Sequence, residues 1–205
     1  MPVLKSKILN KRDIDWTHKI ILTDLKIDPR VLEMHRQRID TIFASLPVEK
    51  RSQQLHNIIL RDNLFSKAMD FILPCYDFEF SSEDVDEIAK GVIATYGDDK
   101  KDHANEIAKK MISKALIFND LQKTYNIEIT DEELMNILQD YYQNTNQPIR
   151  DFMEDSEKFN NAKHTLLEEK TIAFIIDKFE KDLSELEKKM QELINKNQQE
   201  QNNDK

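Results

Sequence analysis

Residues that interrupt helices are scarce in this chain, which has two glycines and five prolines among 205 residues. Tight turns between strands depend on glycine and on left-handed backbone, so this composition leaves little room for a large sheet. Charged residues make up 34% of the chain, a proportion that suits exposed helical faces. We therefore predict an almost entirely α-helical protein.

The first pair of helices is predicted from a cap and a proline. Asp28 is a favoured N-cap residue, and Pro29 stands where proline is tolerated, at the first helical position. Apolar residues then recur at helical spacing up to Pro47, and again from about 48 to 73. We expect two helices here, with the second ended by Pro74.

The lead segment, residues 1–27, allows alternative interpretations. Its first part contains four basic residues before any acid: Lys5, Lys7, Lys11 and Arg12. This part is either a solvated tail or a basic arm that contacts RNA. Its second part, residues 16–27, is either an irregular lead-in or a short strand whose alternating apolar positions include Ile20 and Leu22, and we expect no other strand.

A helical hairpin is predicted over residues 81–125. An extended link up to Phe80 precedes it, Ser81-Ser82 supplies its N-terminal cap, and Gly97 follows its first helix as a C-terminal stop. Gly91 lies inside that helix, where glycine costs about 1 kcal/mol relative to alanine. A close approach of another helix would explain this glycine.

Beyond the hairpin, the sequence Thr130-x-x-Glu133 predicts a helix start with a capping box. In this motif each of the two side chains accepts a hydrogen bond from the backbone amide of the other residue. The helix before it ends at Tyr125–Asn126, and the helix after it carries an apolar stripe. Pro148 marks a new helix start, because proline is tolerated in the first turn of a helix. A last helix carries the apolar residues Leu166, Leu167, Ala173 and Ile176.

This succession, with ITDEEL, then QPIRDFM, then LLEEK, resembles the C-terminal chaperone domain of trigger factor and, more weakly, SurA-type chaperones. The resemblance covers roughly residues 55–179 and is strongest from Asn105 onwards. It implies an elongated helical domain over 28–194, with arms at about 74–104 and 127–165. It also implies an ATP-independent chaperone of the bacterial cytoplasm whose partners are unfolded or nascent polypeptides.

Two parts of trigger factor have no counterpart in this sequence. No β-rich segment has the size of the prolyl isomerase domain, so we expect no isomerase activity. The ribosome signature, a Gly-Phe-Arg loop followed by Gly-Lys, is also absent, because the only glycines are Gly91 and Gly97. Ribosome docking through that signature is therefore not expected.

A chaperone of this type needs exposed apolar patches interrupted by polar residues, and Met and aromatic side chains adapt to varied clients. The alternative for each candidate is an ordinary place in the core. The candidates are Phe78, Phe80, Met111, Phe118, Tyr141, Tyr142, Ile149, Phe152 and Met153.

The C-terminal part has a second pattern, in which apolar residues alternate at steps of three and four, as in a short heptad repeat. This stripe either extends the last helix along the same domain or forms a surface for a homodimer or one specific partner. Its members are Phe179, Leu183, Leu186, Met190 and Leu193. Residues 195–205 are polar and are predicted to be disordered.

Composition also excludes several functions. A net charge of −9 argues against DNA or other nucleic acid as the main partner, and no apolar run is long enough to cross a membrane. The lone Cys75 excludes an internal disulfide, and the five histidines have no metal-ligand spacing. No glycine-rich phosphate loop or nucleophile motif is present, so we expect neither a cofactor nor an enzyme.

Overall fold

The described residues are mostly α-helical, as the scarcity of glycine and proline predicts. The computed structural model describes residues 4–145 and 155–203, without the side chains of 96, 98–100, 140–145, 193, 194 and 196–203. The helices are α1 Pro29–Ile42, α2 Val48–Ile72, α3 Ser82–Tyr96, α4 Ala104–Tyr125, α5 Asp131–Thr145, α6 Ser156–Lys178 and α7 Ser184–Asn203. Four short strands accompany them: β1 Lys7–Lys11, β2 Lys19–Ile21, β3 Tyr76–Glu79 and β4 Glu180–Asp182.

The chain divides into two compact units. Unit 1 consists of the residues up to Ile14 together with Asp70–Ala173. Unit 2 consists of Asp15–Met69 together with the residues from Phe174 onwards. Each unit thus combines segments that are far apart in the sequence.

Strand β1 shows that the prediction of a solvated N-terminal tail is wrong. It pairs antiparallel with β3 in unit 1, and the register shifts between Ile8 and Asn10. The pairing satisfies backbone groups of both segments. Its partner lies about 70 residues away, so no local pattern in the sequence indicates it.

Helices α3 and α4 form the predicted hairpin of unit 1. They share a buried core to which α3 contributes Val85, Ala89 and Val92, and α4 contributes Ala104, Ala108 and Ile112. Helix α3 ends at Tyr96 and is followed by Gly97, whose φ of 90° lies in the region that favours glycine. The predicted C-terminal stop is confirmed.

The close helix crossing expected at Gly91 is not found. A Cβ atom built there meets nothing within 4 Å, so this face of α3 is open. The glycine therefore has no packing role that its small size serves.

Because Gly91 lies inside a helix and in open space, Gly91→Ala should raise the free energy of unfolding by about 1 kcal/mol. Urea denaturation followed by circular dichroism measures this. The matched control is Gly97→Ala, which should destabilise the protein because its φ of 90° strains any residue with a Cβ. A loss of stability in both variants would contradict the account of Gly91.

Helices α5 and α6 enclose a second core of unit 1. It contains the buried residues Ile129, Leu134 and Leu138, against which partly buried side chains of α6 pack, among them Phe159 and Leu166. The predicted cap is present, since the Glu133 amide donates to Thr130 Oγ1 at 3.1 Å. The Glu133 carboxylate, expected to close the box, instead accepts from Lys170 Nζ at 2.9 and 3.1 Å.

The inner face of α6 differs from the prediction near its end. Ala173 is exposed, whereas Thr171, Ile172 and Ile175 are buried. Thr171 is accommodated because its hydroxyl donates to the Leu167 carbonyl at 2.7 Å and accepts from Gln122 at 2.9 Å. A polar residue thereby joins a face that the apolar pattern alone does not identify.

In unit 2, α1 begins as predicted. Asp28 accepts a hydrogen bond from the Arg30 amide at 2.8 Å, and Pro29 occupies the first turn. The helix ends at Ile42, about one turn before Pro47, and Phe43 is its C-cap residue with non-helical backbone angles.

The predicted strand near the N-terminus is confirmed as β2, with both Ile20 and Leu22 buried. It pairs in parallel with β4, which the sequence did not predict as a strand. The expectation of no other strand is wrong, because β1, β3 and β4 each form against a distant partner.

Strand β4 also interrupts the predicted heptad stripe. The last residue of α6 is Lys178 and the first of α7 is Ser184, so Phe179 and Leu186 do not lie on one helix. Asp182 accepts from the Ser184 amide at 3.1 Å and from its hydroxyl at 2.6 Å, which favours a new helix start. Helix α7 continues to Asn203, through residues predicted to be disordered, because Gln, Lys and Glu are adequate helix formers.

Candidate functional site

Ser6 fixes β1 to the start of α3 in unit 1. Its amide and hydroxyl each donate to Asp84 Oδ2 at 2.6 Å, and its hydroxyl accepts from the Ser81 amide at 2.9 Å. The Ser81 side chain, expected to cap α3, makes no capping bond. The hydrogen bonds from Ser6 hold the pKa of the Asp84 carboxyl below its ordinary value, so this buried carboxylate stays ionised.

The basic residues of the N-terminal segment form ion pairs and hydrogen bonds with the rest of unit 1. Lys5 pairs with Glu83, and Lys7 Nζ lies 3.2 Å from Glu79. Arg12 donates to the Pro74 carbonyl. These contacts give the segment an internal role as the partner of β3.

Tyr76 links β3 to α4, because its side chain is buried and its hydroxyl bonds to the carboxylate of Asp120 on α4. Its hydroxyl donates to Asp120 Oδ2 at 2.8 Å, and Lys11 Nζ donates to the same carboxylate at 2.9 and 3.1 Å. Burial, followed by the hydrogen bond with Asp120, raises the pKa of Tyr76 above its ordinary value. The phenol therefore stays neutral and donates across the range in which proteins function.

Three aromatic side chains alternate along β3 and the residue after it, and we call them the aromatic row: Tyr76, Phe78 and Phe80. Their ring centroids are 6.1 and 5.7 Å apart in sequence order. Tyr76 is buried, whereas Phe78 and Phe80 remain partly exposed. Alternation along an extended chain places them on one face, so two neighbouring aromatic surfaces meet solvent.

A groove of ≈ 490 Å³ adjoins the end of the aromatic row. Phe80 and Val85 supply its apolar surface. Its polar lining residues are Ser82, Asp86, Asn105 and Lys109. Lys109 Nζ also lies 5.8 Å from the centroid of the Phe80 ring, within the range of a cation–π contact. This mixture suits an extended segment that carries an apolar side chain and polar neighbours.

The other candidates on α4 have different environments. Phe118 is only 3% exposed, and Lys114 Nζ lies 5.0 Å from its ring centroid. Met111 is 51% exposed, but it lies about 200° around the helix from Lys109. The structure therefore brings Phe78 and Phe80 together, leaves Met111 exposed elsewhere, and places Phe118 in the core.

The candidates of the second arm lie outside the described side chains. They are Tyr141, Tyr142, Ile149, Phe152 and Met153. Of the C-terminal stripe, Phe179 and Leu186 are buried, and Phe179 packs on Trp16 with ring centroids 5.1 Å apart. Leu183 and Met190 are half-buried, and the Leu193 side chain also lies outside the described set.

Comparison with known proteins identifies relatives in mycoplasmas. The "uncharacterized protein MG377 homolog" of Mycoplasma pneumoniae is 34% identical over 177 residues, which cover 86% of this chain and 92% of the relative. The "uncharacterized protein MG377" of Mycoplasma genitalium is 32% identical over 179 residues, with the same coverage. The chain belongs to the MG377 family.

A solved structure also resembles this MG377-family chain. The crystal structure of the hypothetical Mycoplasma protein MPN555 matches it with a TM-score of 0.78 and 34% identity. The match covers 89% of this chain and 93% of the other. Residues 77–177 also match the family model of the bacterial trigger factor C-terminus, which confirms the resemblance at the level of the fold.

Two features of this MG377-family chain were missed from the sequence. Leu9 is strongly exposed at the irregularity of β1, where the short lysine-flanked segment resembled a polar tail. The α1–α2 pair of unit 2 exposes Met34, Phe43 and Val48. A signal for the second was available, because basic residues outnumber acidic ones around that turn.

Neither a metal-binding cluster nor a membrane-spanning helix is found among the described residues. Among them, no three His, Cys, Asp or Glu side chains come together in a way that would hold a metal ion. None of the described helices has both the length and the apolar character needed to cross a bilayer.

Proposed function

We propose that this chain is an ATP-independent, holdase-type chaperone that binds unfolded or nascent polypeptides. The observation that carries the proposal is the partly exposed pair Phe78 and Phe80 beside a groove of mixed apolar and polar lining. The trigger-factor match over residues 77–177 includes this surface, which supports a role of the same kind.

The binding would be weak at each contact and useful in combination. A partly buried Phe offers part of the roughly 1.5–3 kcal/mol that full burial of such a side chain supplies. Several patches on one chain add avidity without a single deep pocket. Among the described residues, further exposed apolar side chains of unit 1 that could add such patches include Leu9, Met111 and Ile137.

The acidic composition and the polar groove lining fit the same role. Lys109 and Asp86 interrupt the apolar surface, which limits self-association of this patch. The net charge of −9 further favours solubility between rounds of binding. We propose binding without catalysis, in the cytoplasm, with release governed by affinity because the sequence has no nucleotide motif.

Suppression of aggregation tests this proposal. A chemically denatured enzyme is diluted into buffer without nucleotide, with and without the chain, and light scattering is followed. The scattering should fall as the chain is added, whereas an inert acidic protein of similar charge should have no effect. Unchanged scattering with a folded chain would contradict the proposal.

A further inference from the structure

The α1–α2 pair in unit 2 is an antiparallel hairpin, as its side-chain contacts show. Arg51 Nη1 lies 2.7 Å from Asp40 Oδ1 near the turn, and His35 Nε2 lies 3.7 Å from Asp62 Oδ2 further along. We call residues 34–51, which surround the turn, the hairpin tip.

The hairpin tip is basic in an acidic chain. Its basic residues Arg36, Arg38, Lys50 and Arg51 outnumber the acidic Asp40 and Glu49, which gives a net charge of +2. Since the whole chain carries −9, the remaining residues together carry −11. This turn is therefore a locally positive part of an acidic chain.

The cations of the hairpin tip are incompletely neutralised. Arg38 and Lys50 are exposed and form no ion pair with the described residues. Arg51 contacts Asp40 through Nη1, while its buried Nε has no hydrogen-bond partner among the described atoms. Acceptor groups from another molecule would complement the exposed donors of Arg38 and Lys50.

Apolar surface accompanies these charges. Met34 is 58% exposed and Val48 is 62% exposed, and Phe43 at the turn is also exposed. A groove of ≈ 290 Å³ between the helices has an apolar surface from Ile39, Val48 and Leu55. Its polar lining residues are Arg36, Asp40, Arg51 and Ser52, so two cations face one carboxylate there. No residue of α2 between positions 48 and 63 is buried, so this half of the helix leaves much of its apolar stripe available.

We propose that the hairpin tip is a second client-binding surface, selective for unfolded segments in which apolar residues alternate with Asp or Glu. The inference rests on the proposed chaperone function and adds a class of client to it. The charge of +2 attracts acidic side chains, whereas the acidic remainder of the chain repels them. The groove and the exposed Met34, Phe43 and Val48 then receive the apolar side chains.

The test uses two fluorescently labelled peptides with the same apolar residues, one with Asp and Glu and the other with Lys and Arg between them. Their affinities for the full chain are measured by fluorescence anisotropy at low salt and at about 0.3 M salt. The variant is Arg38→Glu with Lys50→Glu. The matched control, Lys90→Glu with Lys110→Glu, makes the same change of net charge on exposed positions of α3 and α4.

The acidic peptide should bind about fivefold to tenfold more weakly to the hairpin variant, and less than about twofold more weakly to the control. The difference should shrink at high salt because exposed charges are screened. Equal affinities of variant and control, in a chain that still binds an unfolded protein, would overturn this inference alone. Failure of the unmodified chain to bind any unfolded protein would instead overturn the proposed function.

Discussion

Replacement of Ile112 by alanine is expected to lower the free energy of unfolding by about 3 kcal/mol, within the range of roughly 2–5 for buried Ile or Leu. Ile112 is 0% exposed and lies in the core that α3 and α4 share. Truncation removes apolar contacts and leaves a cavity, because the neighbours on both helices are held by the hairpin. Urea denaturation followed by circular dichroism measures the loss.

The adjacent residue provides the matched control. Met111 precedes Ile112 on α4 but is 51% exposed, so Met111→Ala should change stability by less than about 0.5 kcal/mol. Comparable losses in the two variants would contradict the assignment of one face of α4 to the core and the neighbouring face to solvent.

Replacement of Phe78 and Phe80 together by serine is expected to weaken binding of an unfolded polypeptide by about tenfold to thirtyfold. The estimate assumes that each aromatic side chain contributes about 0.7–1 kcal/mol, near the threshold at which a binding residue becomes important. Anisotropy of a labelled, reduced and alkylated protein that cannot refold measures the affinity. Far-ultraviolet circular dichroism checks that the helices are retained.

The control for this variant changes two other exposed apolar residues, Ile21 and Leu73, to serine. It should keep its affinity within about twofold, because neither residue belongs to the aromatic row or the groove. If the aromatic-row variant is folded and binds as tightly as the control, clients bind elsewhere, and the assignment of Phe78 and Phe80 to the client-binding site is wrong.

The features that were predictable from sequence are those determined by neighbours in the chain. Asp28 with Pro29, Thr130 with Glu133, and Gly97 mark helix ends through contacts within a few residues. These signals are sufficient to order the helices correctly and to predict an all-α fold.

The strand pairs required information that the local sequence does not contain. Lys7 pairs with Glu79, and Lys19 with Glu180, so each strand forms only because a distant segment supplies its partner. The prediction of one helix along the heptad stripe was wrong for the same reason. Its spacing continues through residues 180–182, but these residues pair with β2 in place of continuing the helix.

The candidate site was predicted in part. Phe78 and Phe80 alternate with acids in the sequence, and that alternation correctly indicates an extended segment with both rings on one face. Met111 and Phe118 both belong to the same helical pattern, yet one is exposed and the other buried. Their difference arises from the helices that pack around α4, which a periodicity on one helix cannot specify.

Aggregation suppression by the intact chain tests the central claim most directly, since holding unfolded protein is the activity proposed. A denatured enzyme should scatter progressively less light as the chain is raised to a few-fold excess, without nucleotide, and the Phe78/Phe80 serine variant should suppress less than the Ile21/Leu73 control. Equal scattering with and without the folded chain would contradict the claim and leave a trigger-factor-like fold with a different task.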